Sequence, residues 1–204
     1  ASATGAFAAY LYVKARWGKA DPSWLANGML AGLVAITAPC AFVSAWAAAV
    51  IGAIAGVLVI VAAVFIDTKL KIDDPVGASA VHGVNGAWGI IALGLFSNGT
   101  YGQGLNGVAY GVTGLFYGDK GQLVASVIGV LANIAWVAPV AALAFYVVGK
   151  IVGNRISAED EVAGLDLGEM GVLGYDYGAG PVAGVPKKAA AASGAPVPSL
   201  ADSR

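Results

Sequence analysis

Long stretches of the chain are unbroken by charge. Residues 23 to 66 hold no Asp, Glu, Lys or Arg, and residues 76 to 118 hold none either, with His82 the one group there that can ionise. The first stretch as a single helix would run roughly 66 Å, more than twice the ~30 Å hydrocarbon core of a bilayer, so it must be broken. Breaks are visible. Asp21 and Pro22 suit a helix entry, and the apolar run that follows, residues 23–38, meets Pro39. A second run, 44–66, ends at Asp67 and carries Gly52 and Gly56 at the four-residue spacing that lets helix backbones approach closely in lipid. A third, 75–96, opens behind Asp73 and Asp74, which as carboxylates at a helix start favour its amide dipole, with Pro75 next to them. It contains glycines at 77, 83, 86, 89 and 94. Of these, Gly83, Gly86 and Gly89 are read as close-packing positions, or as places where backbone approaches a conduction path.

Residues 97–121 are punctuated by Gly and Asn and read as a long exposed loop. The run 122–149 exceeds a bilayer crossing and should be tilted or protruding. The opening run, residues 1–13, is too short to cross and lacks a basic leader. It is read as the end of a membrane helix, with the chain a C-terminal portion of something longer. The fold class expected is therefore an all-α integral membrane protein with five transmembrane helices in residues 1–155.

Lysine and arginine orient these spans. Lys14, Arg16, Lys19, Lys69, Lys71, Lys150 and Arg155 fall on one side, against Lys120 alone on the other. Because cytoplasmic loops retain basic residues, residues 14–21, 67–74 and 150 onward are expected inside and 97–121 outside a multi-pass cell membrane protein. Trp17 and Trp24 flank the first inner loop, as an aromatic belt or as ordinary packing residues. Beyond Arg155 the chain turns acidic and polar over 156–178, a cytoplasmic tail. Residues 179–204 are low-complexity Ala, Pro, Ser and Gly, a composition that cannot bury a core and is read as disordered.

Composition agrees: 58% of residues are hydrophobic and 11% charged, where soluble chains carry about 25% charged residues. A net charge of -1 excludes a basic face for nucleic acid. One cysteine, Cys40, makes neither an intrachain disulfide nor a metal pair.

The remaining chemistry centres on His82. Counted along a helix from Asp74 it lies about 12 Å in, near the middle of the core. A group able to ionise there is by default functional, although an imidazole that only bonds a neighbouring helix would also fit. Metal binding wants three or four ligands, and nucleophilic catalysis wants a partnered nucleophile. Neither is evident, so no enzyme, cofactor or metal is expected, and permeation is favoured over catalysis.

The run DDPVGASAVHGVNGAWG, with Asp73, Asp74 and Pro75 ahead of His82, Gly86 and Gly89, resembles the segment opening the tenth helix of ammonium transporters of the Amt family. The preceding NGMLAGLVAITAPCAFVSAWAAAVIGAIAG looks like that family's eighth and ninth helices, and GLDLGEMG followed by Tyr175 is similar to its cytoplasmic tail. The resemblance implies an eleven-helix subunit with an inverted repeat, assembled as a homotrimer in the membrane lipid. The five spans here would be helices seven to eleven, completed by an N-terminal half. His82 matches the second of two facing pore histidines, which pass ammonium or ammonia. Gly164, Leu165, Asp166 and Glu169 would belong to a regulatory tail touched by a PII-type signal protein. An ammonium sensor of the same fold is the rival reading, weakened by a tail too short for a folded signalling domain; a Rhesus-type gas channel is a third.

Overall fold

The computed structural model describes residues 1–104, 107–108, 110–166 and 170, and divides into two compact units, Ala1–Val137 and Ala138–Arg204. In the first unit, α1 (Ser2–Trp17), α2 (Pro22–Thr37) and α3 (Ala45–Phe65) pack against one another. A π-helical turn, Ile66–Leu70, extends α3, and a second, Ser79–Val84, leads into α4 (Asn85–Phe96), which packs on α2 and α3. The helix α5 (Lys120–Ile151) begins in the first unit and ends in the second, where the short α6 (Ala158–Ala163) follows. Among the described residues, three helical segments are long and apolar enough to cross a membrane: Ala45–Leu70, Ser79–Phe96 and Lys120–Ile151. The helices α1 and α2 have 16 residues each, about 24 Å at helical rise.

Local sequence explains most of the ends. Gly18 closes α1 in the left-handed conformation, which a glycine adopts without steric cost. Asp21 caps α2, its Oδ1 accepting the Ser23 amide at 2.8 Å, with Pro22 in the first turn. The far end of α2 dissolves at Thr37, whose hydroxyl donates back to the Leu33 carbonyl at 2.8 Å just before Pro39.

Where α1, α2 and α3 meet, the contact is backbone on backbone. A Cβ at Gly5 would strike the Gly28 carbonyl oxygen, one at Gly56 would strike the Gly5 carbonyl oxygen, and one at Gly52 would strike Ala1. Around these glycines lie Ala9, Val13, Ala31, Ala47, Ile51, Ala55 and Val59, all essentially inaccessible. In lipid, where tails are as apolar as leucine, such fit between small residues supplies the association that burial supplies in water.

Several boundaries depart from the sequence expectation: α1 runs to Trp17 rather than residue 13, and a π-helical turn carries α3 on to Leu70. The fourth helical segment starts at Ala78 rather than Pro75, for a reason that belongs to the site described below. Residues 97–121 are not a simple exposed loop. Ser97 is buried, and the segment after α4 folds back on itself: the Gly99 amide donates to the Val112 carbonyl at 2.8 Å and the Gly114 amide to the Ser97 carbonyl at 2.8 Å. Phe96 sits edge-on to Phe116 with ring centroids 5.0 Å apart. Glycine allows this closeness, since a Cβ at Gly111 would collide with the Gly99 carbonyl.

The last long helix exceeds its expected 122–149 at both ends and carries Pro139 within it. In the second unit, Arg155 pairs with Glu161 through two contacts of 2.8 and 3.0 Å, and Ser157 caps α6 by accepting the Asp160 amide. The expectation for 179–204 lies outside the described residues.

Candidate functional site

The entry to α4 is built by a few residues within one turn. Asp74 does the capping: its Oδ1 accepts the Ala78 amide and its Oδ2 the Ser79 amide, each at 2.8 Å. Both are among the first amides of a helix, which otherwise have no acceptor. The chain reaches them through a turn at Pro75, Val76 and Gly77, in which the Gly77 amide donates to the Asp74 carbonyl at 3.0 Å and Gly77 takes a positive φ of 72°. That turn occupies residues the sequence reading assigned to the helix, because a carboxylate able to take two amides favours starting the helix after the turn. Asn27 of α2 donates its Nδ2 to the Val76 carbonyl at 3.1 Å and ties the turn down. Asp73, expected to share the helix-start role, is exposed and makes no hydrogen bond among the described residues. Of the two adjacent carboxylates, one is structural.

His82 sits inside the π-helical turn Ser79–Val84, on the exposed side. Counted from Ala78 it is four residues into the helix, about 6 Å rather than the 12 Å obtained by treating everything after Asp74 as helix. The three glycines singled out with it divide by face. A Cβ at Gly89 would stand 2.6 Å from the Ala35 carbonyl oxygen of α2, a true close approach. At Gly86 the nearest atom is a Val34 methyl at 4.0 Å, and at Gly83 nothing lies within 4 Å. Gly83 and Gly86 therefore do not pack tightly within this chain; His82 and Gly83 are exposed in the π-helical turn, and Gly86, half-buried, follows in α4.

Sequence reasoning missed three residues that hold this arrangement. Trp88 donates its indole Nε1 to the Ile51 carbonyl at 3.2 Å and joins α4 to α3. Asn85 is wholly buried and donates Nδ2 to the Ala80 carbonyl at 2.9 Å. Asn27 is the third. The available signal was polarity in an apolar context: Asn27 and Asn85 are side-chain amides within otherwise apolar runs.

A cleft of about 350 Å³ opens beside the turn, lined by Asp21, Asp67, Asp73 and Asp74 together with Trp24 and Asn27. Four of its lining residues are carboxylates. Next to it Trp17 stacks on Trp24 with centroids 6.3 Å apart and planes 16° from parallel. In the second unit Gly164 has φ 89° and ψ 143°, and Leu165 and Asp166 follow it, while Glu169 lies outside the described residues.

Comparison with known proteins adds the following. The profile described as Ammonium Transporter Family matches residues 1–175. Ammonium transporter Amt2 of Archaeoglobus fulgidus is 42% identical over 175 residues, 86% of this chain and 37% of that protein. Ammonium transporter 1 member 1 of Solanum lycopersicum is 41% identical, over 78% of this chain and 33% of its own length. Among solved structures, a sensor Amt protein superposes with a TM-score of 0.70 at 34% identity, covering 82% of this chain and 39% of that one. Mep2 of Saccharomyces cerevisiae gives the same TM-score at 28% identity, covering 78% and 35%. The chain thus spans between a third and two fifths of the length of these relatives.

Proposed function

This chain belongs to the ammonium transporter family, a family of membrane-embedded proteins, and from that premise we propose that it forms part of a path that conducts ammonium or ammonia. The observation that carries the proposal is the placement of His82. It is an imidazole on the exposed side of the π-helical turn that leads into α4, next to Gly83, where a Cβ would meet no atom within 4 Å and the backbone is open. Passing an intact cation through a dry channel is costly unless its charge is compensated, whereas a small neutral amine needs only hydrogen-bond partners in place of water. An imidazole offers one partner of either sense.

In this proposal the helices correspond to helices seven to eleven of an eleven-helix fold with an inverted repeat. A second histidine from an N-terminal half would face His82, and the assembly would be a homotrimer in the cell membrane with its C-terminus cytoplasmic. The seven-to-one bias of Lys and Arg supports that orientation. Residues 156–178, including Gly164, Leu165, Asp166 and Glu169, would form the tail that a PII-type protein contacts. Likeness to a sensor Amt protein favours one second reading, in which the same fold reports ammonium and conducts little of it.

The test uses the full-length protein in vesicles. His82→Ala is expected to reduce ammonium flux strongly, and His82→Glu to keep some flux while losing preference over potassium, because a carboxylate compensates an unsolvated positive charge. Flux and selectivity unchanged in the Ala variant would remove His82 from the path. Absence of flux in the unmodified protein would favour the sensor.

A further inference from the structure

The helix that carries His82 is not a continuous α-helix, and the interruption decides which way the histidine points. From Asn85 onward the positions Asn85, Gly89, Ala92 and Phe96 form an ordinary three-to-four-residue buried stripe, with Gly94 buried separately against the long helix α5. Continued backward at the same spacing, that stripe reaches residues 81, 82 and 78. The structure keeps Val81 buried, buries Ala80 beside it, and leaves Ala78 and His82 exposed. The π-helical turn Ser79–Val84 makes the difference. One extra residue in a turn rotates everything before it by roughly 100° about the axis.

A π-turn of this kind needs a reason to persist, since the α-helical alternative packs better along the axis. Here the reason is Asn85. Its backbone amide is shared between the Ala80 carbonyl, five residues back, and the His82 carbonyl, and its side-chain Nδ2 donates to the Ala80 oxygen at 2.9 Å. In an α-turn that carbonyl would take the Val84 amide and Asn85 would have no claim on it. The residue is fully buried, yet its Oδ1 has no partner among the described residues. An apolar side chain of the same size would avoid that penalty, so the amide is poor for stability alone.

We propose that Asn85 is a positioning residue: by clamping the Ala80 carbonyl twice it holds the π-turn that swings His82 out of the packed stripe of α4 and onto its open face. This rests on the reading of His82 as a lining group of the conducting path, and the experiment keeps the two apart. Asn85→Leu and Asn85→Ala are made in the full-length protein beside His82→Ala, and each is measured for amount in the membrane, thermal stability in detergent, and ammonium flux with its preference over potassium. If the clamp positions His82, Asn85→Leu leaves abundance and melting temperature equal or higher, lowers ammonium flux about tenfold, and shifts the ammonium-to-potassium preference in the direction His82→Ala shifts it. Asn85→Ala behaves likewise on flux and preference. Normal flux in Asn85→Leu, or flux that falls only in proportion to protein amount with preference intact, overturns the proposal and makes Asn85 a packing residue. Loss of both Asn85 variants from the membrane also counts against it, because the amide would then be a requirement of folding. Normal flux and preference in His82→Ala shows that the pore reading itself has failed, whatever the Asn85 variants do.

Discussion

Two neighbouring aspartates with the same chemistry should differ sharply when removed. Asp74 accepts the amides of Ala78 and Ser79 and is half-buried, while Asp73 is exposed and makes no hydrogen bond among the described residues. Losing a helix cap costs about 0.5–2 kcal/mol, and a hydrogen bond to a charged group contributes about 1.5–3 kcal/mol net of the exchange with water. Asp74→Ala leaves two helix amides without their acceptor at a site water partly reaches, so about 2–3 kcal/mol is expected. Asp74→Asn keeps one oxygen and should cost about half as much, roughly 1 kcal/mol. Asp73→Ala, an exposed change that touches no such feature, should stay within about 0.5 kcal/mol. The measurement is thermal unfolding of the purified full-length protein in detergent, read as rank order because such unfolding is often irreversible. The expected order of melting temperature is unmodified and Asp73→Ala together, then Asp74→Asn, then Asp74→Ala. Asp73→Ala falling as far as Asp74→Ala would refute the assignment of the capping role to one carboxylate.

The glycines of α4 and of the π-helical turn before it should also separate. Gly89→Ala drives a Cβ toward the Ala35 carbonyl and should cost about 1–3 kcal/mol by overpacking, whereas Gly83→Ala meets no atom within 4 Å in this chain and should be neutral or slightly stabilising in detergent; equal losses at both would mean that the faces are misassigned. For topology, a cysteine placed at Gly99 of the full-length protein should react with an impermeant reagent added outside, and reaction only from the cytoplasmic side would reverse the orientation drawn from the basic residues. For the tail, deleting residues 156–178 is expected to reduce ammonium uptake at constant membrane abundance; unchanged uptake would leave the segment a solvated linker.

Helices that cross a membrane are legible in sequence because a charge in the hydrocarbon is expensive enough to be kept out, so the charge-free stretches mark Ala45–Leu70 and Lys120–Ile151 almost directly. His82 stood out for the same reason. What stayed hidden were features whose energies are small or whose signals cancel. Starting a helix at Ala78 instead of Pro75 depends on which carboxylate finds two amides, and Asp73 and Asp74 are indistinguishable to a pattern of charges. A π-turn adds a single residue, and hydrophobic periodicity over six residues cannot register it, least of all where Ala and Gly make every face similar. The folded segment after α4 was read as open loop because glycine signals turns and close backbone contact alike; at Gly99 and Gly111 it does both.

The meeting of α1, α2 and α3 carries a consequence for how this protein can change over time. When two side chains collide after a substitution, a second substitution can shorten the partner and restore the fit. At Gly5, Gly52 and Gly56 the atoms that a new methyl group would strike belong to main chain, and main chain has no shorter version. Repair would require moving a whole helix, which disturbs its contacts with the other two together. These positions therefore have no second-site suppressors within reach of point mutation, and a selection for revertants of Gly56→Ala should return glycine at 56 and little else.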